Sequence, residues 1–271
     1  MKFTVLLPIY QRQDLENKYE SVIESIYSNS YLPDQVIILI DGLLNDGFYE
    51  KVFNSKVKFG LEIFEPKKRL GLSEILNQGI LLSSNEWIVR ADGDDINHKN
   101  RFEVLCRYMD KDYHLIGSHV IEFNESSGSK TIKKLPLECK AIKKYLKFRN
   151  PINHMSVAFK KSVVLKLGMY PHLYLKEDYG LWIKMIAKNY NCINIPEALV
   201  TVSSDENLFK RRSGFNYIKS EFSLLKFKLH HKIGNIFELI PNFFIRVVFI
   251  LAPNMIKSYL YRFYLRKKII N

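Results

Sequence analysis

The chain has 271 residues, of which 47% are hydrophobic and 25% charged, with a formal net charge of +13. This composition excludes a largely disordered chain and is typical of a globular protein with a substantial core. The three cysteines, Cys106, Cys139 and Cys192, form no CxxC pair and indicate neither a disulfide framework nor a zinc site.

The N-terminus resembles a first strand, not a signal peptide, and no run approaches the ~20 apolar residues that span a bilayer. We therefore expect a cytoplasmic protein that could lie on a membrane surface.

The first 95 residues predict alternating strands and helices. Apolar, β-rich runs predict buried strands at residues 3–9, 36–40, 61–65 and 87–91, and helical spacing of apolar residues predicts helices from about residue 19 to 26 and over 72–82. This alternation is typical of a mostly parallel sheet with helices on both faces. The sequence has neither GxGxxG after the first strand nor GxxxxGK[ST] anywhere, which excludes dinucleotide-binding and P-loop sites. A phosphate bound here would need a metal ion instead.

Asp41 follows the second strand, at the edge of an open α/β sheet where ligands bind. It could accept hydrogen bonds from a base or a ribose, or simply form an Asp-Gly turn.

Three carboxylates, Asp92, Asp94 and Asp95, follow the fourth strand within four positions. Crowded carboxylates raise one another's pKa, and a divalent cation removes that penalty. Mg²⁺ and Mn²⁺ prefer oxygen ligands and typically take one or two protein carboxylates together with substrate phosphates. Gly93 lets the backbone turn sharply beside a ligand. The stretch predicts a metal–diphosphate site, with a solvated acidic turn as the alternative.

Residues 96–205 predict a second series of elements. We expect a helix at 100–109, a strand at 115–123, a turn at 124–130, a basic amphipathic helix at 137–148, a polar segment with His154 that enters a short strand, and short strands at 193–195 and 199–203. Glu177 and Asp178 fall in the first turn of a further helix. There they either complement the helix dipole or provide a carboxylate kept ionised for use as a base.

From Asn207 to the end there are 13 Lys and Arg residues and two acids. This segment predicts a basic loop at 207–214, a helix at 217–229 and an aromatic, basic tail at 240–268. An anionic partner would suit this charge. The tail is either an interfacial amphipathic helix or a helical hairpin packed on its own domain.

Taken in order, these stretches resemble a family 2 glycosyltransferase of the GT-A fold, in the branch that builds bacterial surface polysaccharides such as O-antigens and capsules. The matching stretches are residues 4–10, Asp41, residues 69–80, Asp92-Gly-Asp94-Asp95 as the DxD motif, residues 177–182 as the "ED" motif, and Lys210-Arg211-Arg212 as the late basic loop. Two departures stand out: Gly-Leu-Leu-Asn follows Asp41 in place of the common Asp-Gly-Ser, and Gln11 stands where Asn is usual.

The resemblance implies an α/β GT-A fold, Rossmann-like, with a mostly parallel central sheet flanked by helices. Residues 1–95 would form the nucleotide-sugar-binding half and 96–205 the acceptor-binding half of the same domain. Residues 206–271 would form a C-terminal basic, helical extension that contacts the membrane surface.

The resemblance also implies an inverting hexose transfer from a UDP-sugar to a lipid-linked (polyprenyl diphosphate) oligosaccharide at the inner face of the cytoplasmic membrane, without a nucleic-acid partner. Asp178, with Glu177, would be catalytic, and Asp94 and Asp92 would bind Mn²⁺ or Mg²⁺. The implied nucleotide-sugar-binding residues are Pro8, Tyr10, Arg12, Asp41, Arg69, Gly71, Asn77, Arg90, Asp92, Gly93, Asp94, His154, Trp182, Arg211 and Arg212.

Two other classes remain as alternatives. A metal-dependent phosphatase or phosphotransferase would also use clustered acids, but a haloacid-dehalogenase-type enzyme needs an Asp where Pro8-Ile-Tyr-Gln stands. A basic nucleic-acid-binding protein would fit the net charge, yet its acidic clusters would repel phosphate unless metal were bound.

Overall fold

A computed structural model describes residues 1–125, 127–204, 213–253 and 267–268 of the chain. The strands are β1 Phe3–Ile9, β2 Gln35–Ile40, β3 Glu62–Phe64, β4 Trp87–Arg90, β5 Ile96–Asn97, β6 Leu115–Asn124, β7 Lys130–Lys133, β8 Ala158–Lys160, β9 Cys192–Ser204 and β10 Lys267–Lys268. The helices are α1 Gln13–Tyr27, α2 Asp46–Phe59, α3 Leu72–Leu82, α4 Arg101–Met109, α5 Cys139–Leu146, α6 Lys161–Lys166, α7 Glu177–Ala187, α8 Phe215–His230 and α9 Ile236–Leu251, with a 3-10 turn at His154–Ser156.

One mixed sheet runs through the molecule in the order β10-β7-β6-β8-β4-β1-β2-β3, and β9 pairs with both β5 and β6. β1 is parallel to β2 and β4, and β2 is parallel to β3. β8 is antiparallel to both β4 and β6. The expected parallel sheet is therefore confirmed for the first 95 residues, whereas the second half is mixed.

Alternate residues of the central strand face opposite cores. On β1, Val5 and Leu7 pack with α1 residues such as Tyr19, whereas Leu6 packs with Ile75 and Leu76 of α3 on the other face. A strand covered on both faces needs a continuous apolar run, which is why β1 could be identified from sequence. The two cores fix the ends of β1, β2 and β4 at one edge of the sheet.

Several elements differ from the sequence-based expectation. The helix α2, the short helix α6 and the strand β7 were not predicted. The two short strands expected at 193–195 and 199–203 are one strand, β9, whose pairing with β6 shifts register on either side of His119. Such a bulge adds a residue to one side of the ladder and interrupts the alternation on which the prediction rested.

The C-terminal helices α8 and α9 pack on the domain. Leu224 of α8 and Ile233, in the turn before α9, join the core that contains α7. The helix expected at 217–229 is confirmed within α8, and α9 extends into the first part of the predicted tail. The tail beyond residue 253 lies outside the described residues except for β10. No helix in the described part of the chain combines the length and apolarity needed to cross a membrane.

Candidate active site

Three of the predicted stretches lie at one edge of the sheet, because each follows one of the parallel strands β1, β2 and β4. Tyr10 follows β1, Asp41 follows β2, and the acidic segment starting at Asp92 follows β4. Strands that run in the same direction end at the same edge, so residues far apart in sequence meet there.

The carboxylates of Asp92, Asp94 and Asp95 offer oxygen atoms that all lie within 4.8 Å of one another. Among the described residues, this is the one group of three side chains spaced to hold a metal ion. Three carboxylate oxygens form a ligand set of the kind that Mg²⁺ and Mn²⁺ prefer. The residues present therefore fit a divalent cation.

Burial and mutual repulsion change the pKa values of the three aspartates in this cluster. Burial, together with the charges of Asp92 and Asp94, raises the pKa of Asp95 well above its ordinary range. Burial and the charge of Asp92 also raise the pKa of Asp94, although Arg12 opposes the shift. For Asp92, burial is outweighed mainly by the Arg90 guanidinium, so its pKa is lowered. A cation would favour the ionised form of all three carboxylates.

Two cationic side chains flank the tyrosine that follows β1. The Arg12 guanidinium donates from Nη1 to the Tyr10 hydroxyl at 2.9 Å and from Nη2 to Asp94 Oδ2 at 2.6 Å. The guanidinium carbons of Arg12 and Arg69 each lie 5.5 Å from the centroid of the Tyr10 ring. The predicted residues Tyr10, Arg12 and Arg69 are therefore neighbours and bring positive charge to the edge of the acidic cluster.

Asp41 holds the loop that precedes α3. Its Oδ1 accepts hydrogen bonds from the backbone N–H groups of Leu70, at 2.7 Å, and Gly71, at 3.1 Å. Gly71 has a φ of 84°, in the left-handed region that favours glycine. Asp41 thereby connects the end of β2 to the loop at residues 69–71. Its expected contact with the base or ribose remains a prediction.

Gly93 is required for close packing. A Cβ atom at this position would lie 3.1 Å from Leu15 Cδ2, 3.2 Å from Ile9 Cγ2 and 3.6 Å from the Pro8 carbonyl oxygen. The absence of a side chain therefore lets the acidic loop lie directly against the end of β1, beside the predicted residue Pro8.

Two buried arginines support the acidic loop. Arg90 donates from Nε to Asp92 Oδ1 at 2.7 Å. Arg101, which is fully buried, donates from Nη2 to the carbonyl oxygens of Arg90, at 2.7 Å, and Met155, at 2.9 Å, and from Nη1 to Asn97. Burial lowers the pKa of Arg101 to about 9. Arg101 was not predicted from the sequence, because its role comes from these contacts with residues distant in the chain.

The second acidic pair lies in the first turn of α7, as expected. Asp178 Oδ1 accepts a hydrogen bond from the Tyr179 N–H at 2.7 Å, and Asp178 Oδ2 accepts one from Asn150 Nδ2 at 2.6 Å. Burial and the charge of Asp178 raise the pKa of Glu177 to about 7. Glu177 can therefore keep its proton up to near-neutral pH. Asn150 was not predicted from the sequence.

His154 lies within electrostatic range of both acidic groups. Its ring Nε2 is 2.9 Å from the Tyr170 hydroxyl. Burial and the charge of Arg90 lower the pKa of His154 to about 4, while the charges of Asp178 and Asp92 oppose the shift. These interactions place His154 close to both carboxylates and keep it neutral at physiological pH.

Two other predicted residues pack near His154 or its partner Tyr170. Trp182 is fully buried, with its ring 6.1 Å from the His154 ring. The Asn77 side chain uses both amide atoms on the Tyr170 backbone, at 3.2 and 2.9 Å. Their contacts here are structural, and direct donor contact by either residue remains a prediction. Arg211 and Arg212 lie outside the described residues.

Comparisons with known proteins find a family and relatives for this chain. Residues 4–167 match the family model for glycosyl transferase family 2. The chain is 36% identical over 272 residues to UDP-Gal:alpha-D-GlcNAc-diphosphoundecaprenol beta-1,3-galactosyltransferase of Escherichia coli, covering 98% of this chain and 97% of that one. It is 32% identical over 261 residues to the amylovoran biosynthesis glycosyltransferase AmsE of Erwinia amylovora, covering 96% and 97% of the two chains.

Solved structures share the fold at low sequence identity. The S. aureus TarS 1-349 complex with UDP-GlcNAc has a TM-score of 0.68 at 13% identity, over 91% of this chain and 72% of that one. The mannosyltransferase PcManGT from Pyrobaculum calidifontis, in complex with GDP-Man and Mn²⁺, has a TM-score of 0.63 at 15% identity, over 93% and 70%.

The fold and the family match define an enzyme, a glycosyltransferase with the GT-A architecture. The chain belongs to glycosyltransferase family 2. This membership confirms the resemblance found in the sequence and favours it over the phosphatase and nucleic-acid-binding alternatives.

Proposed function

We propose that the protein transfers a hexose, with inversion, from a UDP-sugar to a hydroxyl group of a lipid-linked oligosaccharide during assembly of a bacterial surface polysaccharide such as O-antigen or capsule. The observation that carries the proposal is the presence of two separate acidic groups, one at Asp92–Asp95 and one at Glu177 and Asp178, with His154 within electrostatic range of Asp92 and Asp178. One group suits a diphosphate with its metal ion, and the other suits an acceptor hydroxyl.

Asp94 and Asp92 would hold Mn²⁺ or Mg²⁺, with Asp95 close by. A divalent cation bound there would supply positive charge to the diphosphate as it departs. The mannosyltransferase of similar fold is described in complex with GDP-Man and Mn²⁺, which supports a metal in this position. Arg12 and Arg69, beside Tyr10, would add positive charge at the same edge.

Asp178 would act as the base. Within the described part of the chain, its two oxygens accept one hydrogen bond each, from Asn150 and from the Tyr179 N–H, which leaves lone pairs for an acceptor hydroxyl. As the acceptor oxygen forms its bond to the anomeric carbon, the bond from that carbon to the diphosphate oxygen breaks and the hydroxyl proton moves to Asp178. The nucleotide leaves as UDP from the opposite face, so the configuration inverts.

The similarity to the Escherichia coli galactosyltransferase supports a specific first choice of donor. That enzyme's name specifies UDP-Gal as donor, a beta linkage in the product and a diphosphoundecaprenol-linked acceptor. UDP-galactose carries its sugar in the alpha configuration, so a beta product corresponds to inversion. We propose UDP-galactose as donor and a polyprenyl-diphosphate-linked sugar as acceptor here as well.

An apolar face of the α8–α9 hairpin supports an acceptor that resides in a membrane. The face consists of the exposed residues Phe222, Phe237, Phe244, Ile245, Val248 and Leu251. The two charged residues of α9 both point to the protein: Glu238 pairs with Lys147, and Arg246 pairs with Glu221. Lys219 and Lys226 lie over the rings of Phe215 and Phe222. An apolar face with lysines beside it suits an anionic bilayer, and we propose that it rests on the inner face of the cytoplasmic membrane.

The direct test is a transfer assay with UDP-hexoses, Mn²⁺ and a synthetic GlcNAc-diphosphate lipid. We expect transfer from UDP-galactose and a beta-linked product, identified from the anomeric proton coupling in the NMR spectrum. An alpha-linked product would contradict inversion. Transfer from GDP-sugars alone would contradict the proposed donor class.

A further inference from the structure

Asn150 makes a direct contact with the carboxylate proposed as the base. Asn150 lies between α5 and the 3-10 turn, 28 residues before Asp178, and its Nδ2 is 2.6 Å from Asp178 Oδ2. The amide orientation is set by a second contact, because Asn150 Oδ1 accepts a hydrogen bond from the Ile152 N–H at 3.3 Å. The group that faces the carboxylate is therefore the NH₂ group, which can only donate.

The segment that carries Asn150 is held by the C-terminal hairpin. Lys228 of α8 donates to the Lys147 carbonyl oxygen at 2.9 Å, and Arg246 of α9 donates to the Phe148 carbonyl oxygen at 3.1 Å. These carbonyls belong to the end of α5, where a helix leaves carbonyl groups without an internal partner and where positive charge is favoured. The side chains of Lys228 and Arg246 thus fix the backbone two to three residues before Asn150.

The same hairpin holds the segment that carries Asp178. Glu221 of α8, only 3% exposed, accepts from Arg246 Nε and from Lys176 Nζ, both at 2.8 Å. Lys176 immediately precedes the acidic pair. Ser220 donates to the Tyr174 carbonyl oxygen. Glu221, Lys176 and Arg246 therefore form one buried ionic cluster. This cluster links the segment that carries Asn150 to the segment that carries Asp178.

We propose that Asn150 is a positioning residue for Asp178 and that the α8–α9 hairpin holds the two together. This proposal rests on the proposed role of Asp178 as the base. The amide fixes the rotamer of the carboxylate without competing for the proton, so the free lone pairs face the acceptor. The hairpin thus has a role in the active site in addition to any contact with a membrane.

Asn150→Ala tests the first part. We expect kcat to fall about tenfold to a hundredfold, less than the loss from removing a general base, with little change in the KM for donor. A carboxylate that loses an N–H donor binds a proton more readily, so the acidic limb of the kcat profile should move to higher pH. Asn150→Asp places a second acid beside Asp178 and should move the limb further. Glu177, His154 and Tyr170 also face Asp178 and stay unchanged in all variants.

The matched control is Asn191→Ala. Asn191 Nδ2 donates to Asp112 Oδ2 at 2.8 Å, which is the same pair of groups away from the proposed site. This variant should keep the wild-type kcat and pH profile. A merely structural role for Asn150 predicts lower thermal stability with an unchanged pH profile, and that outcome would overturn the proposal.

Arg246→Gln tests the second part, with Lys228→Gln as the alternative variant should the first fail to fold. Each should lower kcat and shift the acidic limb in the same direction as Asn150→Ala. In the Asn150→Ala background, each should have little further effect, because the two changes act through one contact. Arg107→Gln, which breaks the exposed pair with Glu103 on α4, is the control. Fully additive effects on kcat would contradict the link through Asn150.

Asp178→Asn distinguishes failure of this inference from failure of the proposed function. Substantial turnover by Asp178→Asn would contradict the base assignment itself. An inactive Asp178→Asn together with a wild-type Asn150→Ala would contradict the positioning role alone.

Discussion

Arg12 Nη2 lies 2.6 Å from Asp94 Oδ2, so a residue at the start of α1 contacts one that follows β4, 82 positions later. The guanidinium partly offsets the burial and the Asp92 charge that raise the pKa of Asp94. The acidic cluster is therefore stabilised by an arginine before any metal ion is considered. Arg12 also contacts Tyr10, which connects the cluster to the proposed nucleotide-binding edge.

Asp94→Asn should remove most of the metal dependence of nucleotide binding. The amide carries no charge, so the site loses a principal anionic oxygen ligand for Mn²⁺. We expect the affinity for UDP measured by calorimetry with Mn²⁺ to fall about tenfold or more. The affinity without metal should change little. Asp14→Asn, which alters another carboxylate bonded to Arg12, is the control and should leave the metal dependence intact.

Glu177→Gln should stabilise the protein at alkaline pH. Burial raises the pKa of Glu177 in the folded state to about 7 from an ordinary value of 4.5. The unfolded chain therefore releases this proton first, and the free energy of unfolding of the wild type falls as pH rises from 4.5 through about 7. A glutamine cannot ionise and avoids this loss. We expect a gain of about 2 to 3 kcal/mol near pH 8 and none near pH 4.

Urea unfolding at several pH values measures this difference. Glu103→Gln is a control of opposite sign, because the hydrogen bond from Arg107 lowers the pKa of Glu103. That control should give no gain at alkaline pH. A Glu177→Gln variant without a pH-dependent gain would contradict the buried, proton-binding state of Glu177.

A double substitution, Phe244→Asp with Val248→Asp, tests the apolar face of the hairpin. Both residues are exposed, at 60% and 68%, and lie one turn apart on α9. We expect the wild type to co-sediment with vesicles that contain anionic phosphatidylglycerol, and the variant to remain in the supernatant. Apolar burial and lysine attraction both contribute to such binding, the latter by about 1 kcal/mol per residue.

The control for this experiment is Phe53→Asp with Val57→Asp on α2. These residues are similarly exposed, at 61% and 72%, and have the same spacing. This control should bind vesicles like the wild type. If the Phe244 and Val248 variant binds vesicles as well as the wild type does, the proposed lipid contact is contradicted. If the wild type is a dimer and the variant a monomer, the apolar face instead contacts a second copy of the chain.

Local signals explain which parts of the fold the sequence could predict. β1 and β2 are mostly apolar runs, and α3 has apolar residues at helical spacing, so each could be recognised without its neighbours. α2 was missed because Phe53 and Val57 are apolar yet exposed, which blurs the pattern. The bulged pairing of β9 with β6 depends on a partner more than 70 positions away in sequence.

The residues of the candidate site also fall into two groups, those with a local sequence signal and those without one. Asp92, Asp94, Glu177 and Asp178 could be singled out because acids beside apolar runs are locally unusual. Asn150 and Arg101 could not be identified from their own surroundings. Their roles come from contacts made by the tertiary fold, between Asn150 and Asp178 and between Arg101 and the Arg90 and Met155 carbonyls.

The central claim is that Asp178 removes the proton from the acceptor. The most direct measurement is transfer from UDP-galactose to the GlcNAc-diphosphate lipid by Asp178→Asn, with donor affinity measured by calorimetry on the same preparation. We predict a fall in kcat of about 10² to 10⁴ with donor affinity preserved, because the asparagine retains the shape but not the basicity. Turnover within about tenfold of the wild type would contradict the assignment of Asp178 as the base.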